Sequence, residues 1–294
     1  MIVKSENTDA VELAAMIAIE RSRHADAESI DGRRRSRQAI RRWAHRMPRG
    51  LTIEADVPLL VARHRDYWLG STASLPRSLD PAGLGAGPLH AVAFDAVGIA
   101  SVTCLGMTFP TLYDCVRDVL PVSAAPGPTI AINLVEVATW LVLDNDDRLD
   151  EATLRETIRV AVQAVALHEA AHVIADGGYE PLPPHDLPAA TIRDMVAREV
   201  ASDRLPARVI AGHGAAWCRA AVHLAHRTRT LPHGQWWAAW LRADIDRIHG
   251  AGTAAAAVAA LADELLAADQ AEAVAEILRR EPPAAFDDIF DKRR

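Results

Sequence analysis

The chain has 294 residues, of which 50% are apolar and 24% charged, and a net charge of −7. That mixture suits a core-forming globular chain and excludes a low-complexity or collagen-like one. Its length allows one large domain or two modest ones.

The charge is unevenly spread. Residues 21–49 hold ten arginines against Asp26, Glu28 and Asp31, a local charge of +7 that leaves −14 for the rest. This segment is the candidate contact for nucleic acid, although no interleaved aromatic residues support base stacking. No apolar run of 18 residues is free of charges or breakers, so no membrane span is expected. The N-terminus scatters Lys4, Glu6, Asp9, Glu12 and Glu20 through its apolar residues, unlike a secretion signal. Cys104, Cys115 and Cys218 form no CxxC pair and no disulfide framework, so the expected setting is the reducing cytoplasm.

In chain order, residues 8–46 read as helical, with a turn near Asp31-Gly32 and a stop at 47–50. The stretch 51–70 fits a strand followed by a short helix. Residues 71–88 are rich in Pro, Gly and Ser and read as a loop or linker. Two stretches rich in Val, Ile, Thr and Ala, 90–107 and 128–143, read as β-structure, with a short helix at 112–120 between them. A helix is predicted from about Asp150 to Ala175, stopped by Gly177 and Gly178. Beyond a proline-rich loop, further helices are expected at 189–205, 213–230, 233–250 and 253–280, and the last dozen residues read as a frayed tail. Strands segregated between helices indicate an α+β fold. The expected division is an N-terminal helical region 1–70, a linker 71–89, a core 90–232 and a C-terminal helical region 233–294.

The chemistry is concentrated in "ALHEAAHVIADGG". On a helix, residues i and i+4 differ by about 40° after one full turn, so His168 and His172 project from one stripe and can converge on one ion. Glu169 is about 100° round the helix, within reach of a water beside that ion, which gives it the general-base role in hydrolysis by metal-activated water. A catalytic zinc site needs a third protein ligand and an open position. His185, His213, Glu199 and Asp203 are the candidates for that ligand or for the residues that support it. The metzincin pattern fails, because Ala175 and Gly178 occupy its Gly and His places. Tyr179 is a candidate phenol donor to an oxyanion. His223 and His226 read as helix-face histidines, and Trp236, Trp237 and Trp240 as a helix packing stripe.

"HEAAH" followed by "HGAAWCR" resembles the SprT/Spartan family of zinc metallopeptidases, in which HExxH precedes an HGxx[FW] motif. His213, Gly214, Trp217, Cys218 and Arg219 match that order, and the resemblance covers about residues 150–230. It implies a zincin-like core, with a small mixed sheet beside the active-site helix and helices flanking it on both sides. It also implies one zinc per chain on His168, His172 and His213, with Glu169 catalytic, Trp217 packing the ligand helix against the core, and a protein or peptide substrate. The 41 residues from His172 to His213 imply an inserted loop and helix at 179–205, and the family's zinc ribbon has no counterpart. The other function weighed is a catalytically inactive, zinc-stabilised structural or binding protein of phage or mobile-element type. In that case a fourth ligand such as His185 or Glu199 closes the metal.

Overall fold

The computed structural model describes residues 53–72, 75, 79–80, 89–97, 105–108, 127–144, 151–176, 212–268 and 272–291. The helices expected at 8–46, 112–120 and 189–205, the Arg-rich segment and the Gly177-Gly178 stop lie outside them.

The protein is α+β and mostly helical, with one small mixed sheet. In order, its elements are α1 (Ile53–Thr72), β1 (His90–Ala93), a 3-10 turn (Phe94–Val97), β2 (Gly106–Thr108), β3 (Thr129–Ile132), α2 (Leu134–Asp144) and α3 (Glu151–Ala175). There follow α4 (Ala215–Thr228), α5 (Gly234–His249), α6 (Thr253–Ala260), α7 (Ala262–Ala267), α8 (Val274–Leu278) and α9 (Ala284–Asp291).

Two compact units divide these elements. One takes Leu134–Ile158 with the chain up to Arg65; the other takes Asp66–Asn133 and Arg159–Arg294, so the division falls inside α1 and α3. The first unit contains α2 and buries Val57, Leu60, Val137, Leu141, Leu154 and Ile158.

In the second unit the sheet order is β1-β3-β2. β3 pairs in parallel with β1, from His90 with Thr129 to Ala93 with Ile132. It pairs antiparallel with β2, from Gly106 with Ile132 to Thr108 with Ile130. All four β3 residues are buried, as a central strand covered on both faces requires. Helix α4 is almost wholly buried and packs against α5, α6 and α8, while α6 packs on α9.

Four expectations need correction. Residues 53–72 are one helix, with Val57, Leu60 and Trp68 buried at helical spacing. The β-stretch 128–143 is a strand only to Ile132. Asn133 and Glu136 then have the spacing of a capping box, and the β-branched run after them is the buried face of α2. The Ala-rich stretch 253–280 is three short helices, broken at Leu261 and again before Val274. The expected tail contains α9, which buries Phe286 at 1% exposure and stacks it on Phe290, with rings 5.2 Å apart.

The Pro- and Gly-rich stretch carries buried anchors. Arg227 Nη1 donates to the Leu79 oxygen at 3.0 Å and to Asp80 Oδ1 at 3.2 Å, and the Val274 amide donates to the same Oδ1 at 2.9 Å. Helix α3 is long and apolar enough to cross a membrane by length and composition, but 83% of the qualifying stretch is buried in the protein, as in a core helix.

Candidate metal centre

Every residue of the cluster described here belongs to the second unit. The last two turns of α3 carry His168, Glu169 and His172, and the turn leading into α4 carries His213. Gly214 is the N-cap of α4, so His213 is just outside the helix and is not its cap. The His213 Nε2 lies 2.9 Å from His168 Nε2 and 3.1 Å from His172 Nε2. For three nitrogens on one tetrahedral zinc at 2.0–2.1 Å, the expected separation is about 3.3 Å. Both separations from His213 are within about half an ångström of that value, and all three ligand atoms lie within 4.8 Å of one another. His168 and His213 are buried and His172 is half-buried.

The hydrogen-bonding chemistry fits a cation. His168 Nδ1 is 2.9 Å from Asp244 Oδ2, and an ionised carboxylate only accepts, so Nδ1 carries a proton and, in the neutral ring, Nε2 presents a lone pair. His172 is held by a hydrogen bond to the Gly212 backbone. His213 Nε2 meets the Nε2 atoms of both other rings, and nitrogens this close need a proton or a metal ion between them.

Electrostatics follow from burial and neighbours. Burial, helped by the neighbouring His168 and His213, drives the His172 pKa down to about 2, which keeps that ring neutral. Burial also disfavours charge on His168, but the Asp244 carboxylate outweighs it and the His168 pKa is raised. Asp244 is held at about 2: burial opposes its charge, and bonds to His168 and Arg247 prevail. Glu169 is pushed up by burial, against the pull of His168 and a bond from Thr108. The Cys218 thiol, buried on α4, is pushed up to about 12 by burial and by Asp246, so it stays protonated.

Trp217 packs against all three imidazoles. It is 1% exposed, its Nε1 donates to the His168 oxygen at 3.3 Å, and its ring lies 4.8, 5.6 and 4.5 Å from the rings of His168, His172 and His213. Strand β2 lies against Glu169. Thr108 Oγ1 donates to Glu169 Oε2 at 2.7 Å. A Cβ on Gly106 would come within 2.7 Å of Glu169 Oε1 and 2.6 Å of Val165 Cγ1, so the strand approaches this closely only with glycine there.

Of the residues singled out in the sequence, His168, Glu169, His172 and His213 are brought together. Tyr179, His185, Glu199 and Asp203 lie outside the described residues. His223 bonds Glu264, with Nε2 2.7 Å from Oε1, away from the cluster. The tryptophan stripe divides: Trp237 is buried and donates to the Val160 oxygen at 3.1 Å, whereas Trp236 is 38% exposed and pairs with Trp240 on the outer side of α5. Asp244 and Thr108 are the residues that sequence reasoning missed. Asp244 left a readable trace, an acid seven residues after Trp237 and therefore on the buried stripe of α5. Thr108 left none.

No family model, curated protein or solved structure matches the chain.

Proposed function

We propose that the protein is a single-zinc metallopeptidase of the SprT-like kind, with a zincin-like core. The observation that carries this reading is the meeting of three imidazole Nε2 atoms, from an HExxH helix and from an HGxxW turn 41 residues further on. His168, His172 and His213 would hold the metal. Bound zinc supplies Lewis-acid activation of water and of the scissile carbonyl.

The chain's own residues account for the remainder. Glu169 takes a proton from the attacking water and returns it to the leaving amine. Its buried setting lifts its pKa toward the working range of a group that must both accept and release a proton. Among the described residues β2 is an edge of the sheet and lies beside Glu169, so an extended peptide has a strand to pair with. Backbone pairing of that kind gives weak sequence preference. A cytoplasmic setting and a salt-sensitive nucleic-acid contact through residues 21–49 belong to the same proposal.

Glu169→Gln is the decisive variant. It is expected to retain one zinc per chain and to lose hydrolysis of an unfolded protein substrate. Wild-type turnover by that variant would remove the mechanism. The scaffold reading requires a fourth protein ligand from outside the described residues, since the cluster among them has three members. Zinc that stabilises the fold while neither wild type nor variant hydrolyses any substrate would favour it.

A further inference from the structure

The metal reading uses four side chains and leaves Asp244 without a role. This carboxylate is on α5, 76 residues from His168 in sequence, on the stripe that also buries Trp237, Leu241 and Ile245. An acid in such a place carries a desolvation cost that an apolar residue avoids. Both of its oxygens are engaged, in opposite directions. Oδ2 faces His168 Nδ1 at 2.9 Å; Oδ1 accepts from Arg247 Nη2 at 2.9 Å and Nε at 3.2 Å. The Asp244 side chain is 17% exposed and that of Arg247 is 54% exposed, so the chain of contacts runs from solvent, through the acid, to the ring.

We propose that Asp244 is a positioning residue for His168: it fixes the tautomer and the ring plane that aim the Nε2 lone pair at the metal, and Arg247 holds it from outside. The inference rests on the reading of His168 as a metal ligand. It assigns α5 a part in the site although that helix supplies no ligand. Groups in this position are worth about 10–100-fold in metal affinity.

The test uses the full chain, with zinc affinity measured by competition with a chromophoric chelator. Asp244→Ala is expected to weaken zinc binding about 10–100-fold. Asp244→Asn keeps an acceptor of the same shape and is expected to recover most of that loss. Ring ¹⁵N spectra of the zinc-free wild type, at a pH where His168 is neutral, should show its proton on Nδ1. In Asp244→Ala the Nε2-protonated form should gain population while the His172 signals stay in place. Wild-type zinc affinity in Asp244→Ala would overturn the assignment and leave the metal reading standing. So would a His168 proton found on Nε2 in the wild type, a result that needs no variant to fold. A wild-type chain that binds no zinc would overturn the metal reading itself.

Discussion

Thr108 Oγ1 lies 2.7 Å from Glu169 Oε2 and 3.2 Å from the backbone oxygen of the same residue. The candidate general base is thus placed by strand β2 as well as by its own helix. A hydrogen bond to a charged group is worth about 1.5–3 kcal/mol, or roughly 10–100-fold in rate if the bond serves to aim the carboxylate. Thr108→Val keeps the shape and removes the donor. It is expected to lower hydrolysis by about that factor, with zinc content unchanged, while Thr108→Ser retains most activity. Equal rates for Thr108→Val and wild type would mean that the strand does not hold the base.

Gly106 sets the spacing of the same contact. An added methyl would meet Val165 Cγ1 at 2.6 Å and Glu169 Oε1 at 2.7 Å, both on the helix that carries His168 and His172. Overpacking of this kind costs about 1–3 kcal/mol. Gly106→Ala should therefore lower the urea midpoint and displace Glu169, reducing hydrolysis more than zinc binding. An unchanged midpoint would show that β2 yields freely.

The three-histidine cluster was legible in the sequence because its signals are local. The i, i+4 histidines define one helix face, and the HGxxW turn marks the start of another buried helix. What was not legible depends on contacts far apart in the chain. Thr108 meets Glu169 across 61 residues, and nothing around a lone threonine announces it. The run after Ile132 was misread as strand because burial makes β-branched and helical apolar runs look alike. Asn133 and Glu136 held the information that separates them. Asp244 could have been found by asking why an acid occupies an apolar stripe.

The C-terminal helix offers a test of a different kind. Phe286 is 1% exposed, and Phe290 meets it at a tilt and His249 edge-on, each pair of rings 5.2 Å apart. Phe→Ala in such a site costs about 3–5 kcal/mol. Phe286→Ala, or truncation before Ala284, should lower the melting temperature of the zinc-free protein markedly. A truncated chain that melts like the full one would restore the reading of this segment as a tail.

Acid stability should depend on Glu264. This carboxylate accepts from Arg219 Nε at 3.0 Å and Nη2 at 2.5 Å, and its Oε1 is 2.7 Å from His223 Nε2. The side chains of Arg219 and His223 are 4% and 1% exposed. Burial opposes the charge on Glu264, but the bonds from Arg219 and His223 prevail, so its pKa is lowered from 4.5. A lowered carboxylate contributes stability that is fully present above its unfolded value and is lost as pH falls through the folded one. His223 is lowered from 6.5, chiefly by burial, so protonation of the unfolded chain begins to cost stability as pH falls below 6.5. The two effects have the same sign: the melting temperature should fall first below 6.5 and again below 4.5. His168 and Asp244 are shifted as well, so the informative quantity is the difference between wild type and Glu264→Gln across pH. That variant leaves Arg219 as a buried charge without its partner, at a cost of about 3–5 kcal/mol near neutrality. The gap between the two curves should close as acid removes the same charge from the wild type. A gap that stays constant down to the acid limit would mean that the carboxylate is not ionised in the folded protein.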